Sequence, residues 1–202
     1  MPDSFIAERL PRALILGSTS RYRRELLSRL QLPFETVSPE VDETPLPGET
    51  PYDLSLRLAR AKAQAVAKLH PGALVIGSDQ VPEIDGQPLS KPGTHERATE
   101  QLRLMSGRQM NFHTGVCVAC AETGFLQADV VTVQVRLRTL DDAAIERYLR
   151  AEQPYDCAGS AKSEGLGIAL LDALTSDDPT ALVGLPLIRT CQMLRTAGVV
   201  LP

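Results

Sequence analysis

The sequence predicts an α/β fold built on a mixed β-sheet, and three observations carry the prediction. The apolar run Leu14-Ile15-Leu16 passes straight into a helical pattern at Arg21. A second run, Ala73 to Val81, is continuously apolar up to Ser78-Asp79, as in a strand buried on both faces. Capped helical patterns then alternate with strand-like runs along the whole chain.

The first strand ends at Gly17 and the helix after it runs to about Leu30. Pro33 to Val37 reads as a second strand, entering an acidic loop, Pro39 to Thr44, that Pro45, Pro47 and Gly48 keep out of helix. Thr50-Pro51-Tyr52-Asp53 is a strong helix start, with Thr as N-cap and Pro at the first helical position, and His70-Pro71-Gly72 is its stop. Leu54, Leu58, Ala61, Ala65 and Leu69 recur at helical spacing and define its expected packed face, with Lys62 flanking it.

The Ala73–Val81 strand is expected to end in the carboxylate of Asp79, and Asp85-Gly86 signals a hairpin turn. A helix capped by Thr94 closes at Gly107. Two strand runs follow, Met110 to Ala121 and Leu126 to Leu137, split by Glu122-Thr123-Gly124. Next come a helix from about Asp142 to Arg150, a Gly-rich segment from Cys157 to Gly167, a short strand through Leu171, and a last helix from Pro186 to Gly198.

A chain of 202 residues that is 43% hydrophobic can bury a full core, as one domain or a two-lobed one. A net charge of −4 and only 4% aromatic residues do not indicate a surface that tracks polymeric nucleic acid. Met1 to Phe5 lacks the pattern of a signal peptide and no apolar run is long enough to span a bilayer, so a cytoplasmic protein without membrane contact is expected. Cys117, Cys120, Cys157 and Cys191 fit reduced, packed thiols. Cys117-Val-Ala-Cys120 is no zinc site, because in a strand the two would face opposite sides and no second pair completes it.

The candidate chemistry starts at Gly17-Ser18-Thr19-Ser20-Arg21-Tyr22-Arg23-Arg24. A helix start exposes unpaired N–H groups and partial positive charge, so arginines there are costly without an anion. A phosphate fits: N–H groups and hydroxyls cradle its oxygens and an arginine fork pairs with it. Asp79, ending a buried strand, pays desolvation unless it holds a metal, a proton or a cation. Glu40, Asp42 or Glu43 could supply a further carboxylate, and Lys62 and Lys91 could neutralise phosphate oxygens. Packed, hydrogen-bonded His113 is left outside the site.

Taken in order, Gly17-Ser-Thr-Ser-x-x-Arg23-Arg24, Ser38-Pro-Glu40-x-Asp42-Glu43, Leu58-Ala-x-x-Lys62-Ala, Gly77-Ser-Asp79 and Lys91-Pro92 resemble the Maf family of nucleoside triphosphate pyrophosphatases. The resemblance covers one domain over nearly the whole chain, residues 1–202, with 1–12 as an N-terminal extension. It implies an elongated two-lobed α/β fold like that of inosine triphosphate pyrophosphatases, and a homodimer. It also implies hydrolysis of a small-molecule nucleoside triphosphate to monophosphate and pyrophosphate with Mg²⁺ or Mn²⁺. By the same resemblance Asp79 is the proton acceptor, Glu40 and Asp79 associate with the metal, Lys62 and Lys91 face phosphate, and Ser18, Ser20, Arg23 and Arg24 form the phosphate loop.

Gln80 and Ser163-Glu164-Gly165 depart from the dTTP/UTP branch of that family, which carries Thr and Ile-Gln-Gly at these positions, and resemble the 7-methyl-GTP branch. Tyr22, Gln80 and Glu164 would then set the base. Tyr22 stands where Trp is expected and keeps the aromatic face with a weaker stack. A positively charged 7-methylguanine would stack on that face and donate from its N1 and amine edge to a carboxylate. A dTTP/UTP-type enzyme and a non-catalytic nucleotide-binding regulator of septum formation are the alternatives.

Overall fold

A computed structural model describes residues 10–202; the first nine residues of the expected extension lie outside the described residues. Seven strands form one mixed sheet in the order β2-β1-β3-β5-β6-β7, with β4 paired to the far end of β3. They are β1 (Leu14–Gly17), β2 (Glu35–Val37), β3 (Leu74–Ile84), β4 (Gln87–Pro88), β5 (Gln109–Cys120), β6 (Phe125–Leu137) and β7 (Leu171–Thr175). β1 is parallel to both β2 and β3, while the β3–β5, β5–β6 and β6–β7 pairs are antiparallel. The helices are α1 (Arg21–Ser28), α2 (Pro51–Leu69), α3 (His95–Met105), α4 (Asp142–Glu152) and α5 (Leu187–Thr196).

The core divides along the long strands. Leu16, Leu26, Ile76, Val118, Leu185 and Leu194 pack α1 and α5 on one face of the sheet. On the other face Ala59, Ala63 and Val66 of α2 meet Ile15, Val75 and Cys117. Beyond these, α3 and α4 pack over the first half of β5 and the second half of β6 through Leu102, Met105, Phe112, Val133 and Leu149. The expected α/β fold on a mixed sheet is the one observed. Cys117 and Cys120 fall in the cores on opposite faces, as alternation along a strand requires.

The caps expected at Thr50 and Thr94 hold, and Ser20 and Asp141 cap α1 and α4. Ser20, Thr50, Thr94 and Asp141 each accept from the backbone N–H three residues on. Asp85 and Gly86, both at positive φ, make the β3–β4 turn.

Three local expectations are corrected. β3 does not end at Asp79 but continues to Ile84, because β5 pairs with it as far as Glu83. The short strand before Leu171 is a 3-10 turn, Leu166–Leu170, and β7 begins where that strand was expected to finish. The buried face of α2 continues from Leu54 and Leu58 through Lys62, Ala63, Val66 and Ala67 instead of Ala61, Ala65 and Leu69. Two glycines turn it. A Cβ on Gly77 would stand 2.4 Å from Ala59 O, and one on Gly115 2.2 Å from Ser55 O. The α2 backbone therefore lies directly on β3 and β5, and the small residues Ser55, Ala59 and Ala63 are the ones that face inward.

Candidate active site

β1 stops at Gly17, opposite Gly77, while β3 runs seven residues further and regains a partner on that edge only at Glu83, from β4. The unpaired edge of β3 is the floor of a cleft of about 940 Å³. The amino end of α1 and the loops after β2, β4 and α4 surround it. Such a gap beyond the carboxyl end of a parallel strand is where open α/β sheets take ligands.

Asp79 and Lys62 are the buried pair at its centre. Gly77 lets α2 approach, so Lys62 Nζ reaches Asp79 Oδ1 at 2.6 Å with both side chains about nine-tenths buried. Lys62 was expected at the edge of the packed face; it lies inside, 6% exposed. Burial pushes the Asp79 carboxyl above its ordinary range, with Lys62 and then Arg23 acting against the rise. A carboxylate held in that way is a better proton acceptor near neutral pH than a solvated aspartate. Among the described residues its second oxygen takes no hydrogen bond.

Of the acidic loop's three candidates, Glu43 is the one that lines the cleft. Glu43 Oε1 lies 2.6 Å from Lys62 Nζ, whereas Glu40 is exposed and does not line the cleft. One signal was available: in an extended segment alternate residues share a side, and Glu43 shares its side with Val41, the half-buried apolar residue of the loop.

At the amino end of α1, Ser18 is buried and Ser20 caps the helix. The Arg23 guanidinium is fixed by Nε donating to Gly184 O at 2.8 Å and Nη1 to Ser18 Oγ at 3.3 Å. Burial lowers its pKa, with Asp79 and Glu43 opposing, yet among the described residues it makes no direct ion pair. A half-buried cation without an anion, beside a helix start with free N–H groups, is built to receive one. Arg24 is turned away: about 100° further round the helix, it lines a separate hollow with Glu25, Ser28 and Phe34. Lys91, exposed on the loop after β4, lines the cleft.

The cleft's other end carries the remaining expected residues. Gln80 sits opposite Thr114 in the β3–β5 ladder. Its Nε2 is 3.0 Å from Thr114 Oγ1, 2.9 Å from Ala181 O and 3.0 Å from Leu182 O. The amide nitrogen is thus committed, and Oε1 is left as an acceptor toward the cleft. Tyr22 is half-buried and Glu164 exposed, both lining it.

Sequence reasoning missed what shapes this wall. Asp178, 2% exposed, accepts from the N–H groups of Thr180 and Arg189. Thr180 in turn bonds Leu185 O and Leu187 N. Together they fold the turn whose carbonyls meet Gln80, Ser78 and Arg23. Their signal was the Asp178-Pro179-Thr180 turn pattern. His113 is packed on Tyr52 and bonded to Thr132, outside the cleft, as expected.

Residues 13–197 match the family described as Maf-like protein. This chain belongs to the Maf family. A protein named 7-methyl-GTP pyrophosphatase from Polaromonas sp. is 66% identical over 94% of this chain and 87% of its own. Proteins of the same name from Albidiferax ferrireducens and Burkholderia thailandensis are 62% and 63% identical, over 96% and 95% of this chain and 98% and 90% of theirs. Among solved structures, the Staphylococcus aureus Ham1 protein matches with a TM-score of 0.46 and 16% identity, over 62% of this chain and 72% of that one. Among the described residues of this Maf protein, no helix is long and apolar enough to cross a membrane.

Proposed function

We propose that this Maf protein hydrolyses 7-methyl-GTP to 7-methyl-GMP and pyrophosphate, removing a modified nucleotide from the pool. The observation that carries the reading is the buried Lys62–Asp79 pair on the floor of the cleft. Asp79 orients a water and takes its proton as the water attacks the α-phosphorus. Lys62, Lys91 and Arg23, with Ser18 and Ser20, face the triphosphate and stabilise the charge that builds on departing pyrophosphate.

Mg²⁺ or Mn²⁺ suits the donor set. No three His, Cys, Asp or Glu side chains gather into a ready-made cage among the described residues. Two carboxylates, Asp79 and Glu43, meet at Lys62 instead, as fits an ion bound by one or two carboxylates and substrate phosphates. Asp79 and Glu43 would hold it, and when bound it supplies charge neutralisation and a more acidic water.

The base is chosen by acceptors. Gln80 Oε1 and the Glu164 carboxylate suit the N1–H and amine donors of a guanine edge. Uracil and thymine offer a single donor between two carbonyls and match this pair poorly. Tyr22 supplies the face on which a positively charged methylated ring stacks. The relatives' shared name agrees with this choice. A cytoplasmic location and a homodimer, as the family implies, belong to the same reading.

Pyrophosphate release from 7-methyl-GTP, GTP, UTP, dTTP and ITP, with Mg²⁺ or Mn²⁺ present, tests it. The highest kcat/KM is expected for 7-methyl-GTP. A preference for UTP or dTTP would overturn the substrate, and release from none of them would favour a binding protein.

A further inference from the structure

The aromatic face at the base end of the cleft already has a cation on it. The guanidinium carbon of Arg21 lies 4.7 Å from the centroid of the Tyr22 ring, and its Nη2 donates to Tyr22 Oη at 2.7 Å. Lys162 Nζ stands further off, 5.9 Å from the same centroid, and its charge is neutralised by Glu152 at 2.6 Å. Arg21 has no such partner: among the described residues it makes no ion pair, and it lines the cleft. It also occupies the first helical position of α1, where a positive charge opposes the helix dipole. A charge at that place, against local preference and over an aromatic ring that lines the cleft, acts on whatever ring comes to stack there.

We propose that Arg21 is a specificity-determining residue of the base site, which narrows the discrimination between a positively charged N7-methylated purine and its neutral parent by competing for the face of Tyr22. The inference rests on the reading of Tyr22 as the platform for the base. An aromatic face attracts a cationic ring through its quadrupole, and that attraction favours 7-methylguanine over guanine. A guanidinium already on the face satisfies part of the quadrupole and repels a second positive charge. A neutral guanine meets no such repulsion and can share the face with the planar guanidinium. The chain therefore keeps Glu164 and Gln80 to recognise the guanine edge, while Arg21 sets how strictly the methyl-derived charge is required.

The test is kcat/KM for 7-methyl-GTP and for GTP in the wild type and in Arg21→Gln, each with and without Tyr22→Ala. Removing the guanidinium is expected to raise the 7-methyl-GTP to GTP ratio about two- to fivefold, the span of an exposed cation–π contact. The rise should appear mainly in KM and vanish in the Tyr22→Ala background. Equal losses on both substrates would assign Arg21 to the triphosphate or to the fold and overturn the proposal. A rise of the same size without the Tyr22 ring would also overturn it, since the effect would then not pass through that face. The wild type alone reads the underlying assignment: preference for UTP or dTTP over both purines would remove the purine site and this inference with it.

Discussion

At the end of the cleft proposed to take the phosphates Lys62, Asp79 and Arg23 are set by backbone packing, whereas at the end proposed to take the base the polar groups stand on loops and at a helix tip. Lys62 is 6% and Asp79 8% exposed, and their 2.6 Å contact exists because Gly77 and Gly115 bring α2 onto the sheet. Arg23 is likewise held by a carbonyl and a buried serine. Tyr22, Glu164 and Arg21 are half-buried or exposed, and Glu164 rides on a loop anchored to α4 through Glu152, which accepts from Leu166 N and Lys162 Nζ. The difference teaches a division of labour. Chemistry that builds charge needs preorganised partners in a dry site, while in the proposed reading the choice of base falls to groups that can change without disturbing the core.

Breaking the rigid end is expected to have the largest effect. Gly77→Ala puts a Cβ 2.4 Å from Ala59 O, so α2 must move away from β3. A loss of about 3 kcal/mol in stability is expected, as for severe overpacking, read by chemical denaturation. Turnover should fall for every nucleotide alike, because the Lys62–Asp79 contact opens. Breaking the adaptable end is expected to do less. Glu164→Gln replaces a charged acceptor by a neutral one, and kcat/KM for 7-methyl-GTP should drop about tenfold, near the cost of one charge-assisted hydrogen bond. Midpoint temperature and kcat/KM for UTP should stay unchanged in steady-state and thermal assays. A uniform loss across substrates would erase the division between the two ends.

The same division decides what could be read in the sequence. Strand runs, caps and turns are local, so β5, β6, α2, α3, α4 and the Asp85-Gly86 hairpin follow from residue patterns. The register of α2 does not. Leu54 and Leu58 fit two faces, and the choice was made by Gly77 and Gly115, distant in sequence, which admit only small residues opposite. Lys62, expected at the edge of that face, is thereby carried inside it. Glu40 and Glu43 are three residues apart in one acidic loop, and only the path of that loop over the cleft selects Glu43. Arg23 and Arg24 are separated by helix geometry, which the sequence contains, and α1 turns only the first of them to the cleft. The orientation of Gln80 depends on carbonyls of residues 181 and 182, about a hundred positions away.

Asp79 is the proposed proton acceptor, and single-turnover hydrolysis of 7-methyl-GTP by Asp79→Asn tests that role most directly, with nucleotide affinity and folding measured on the same sample. Loss of a positioned proton acceptor predicts a fall of about 10³-fold in the hydrolytic rate, with 7-methyl-GTP still bound through Arg23, Lys91 and the base-end residues. A folded Asp79→Asn protein that hydrolyses 7-methyl-GTP at close to the wild-type rate would contradict the account.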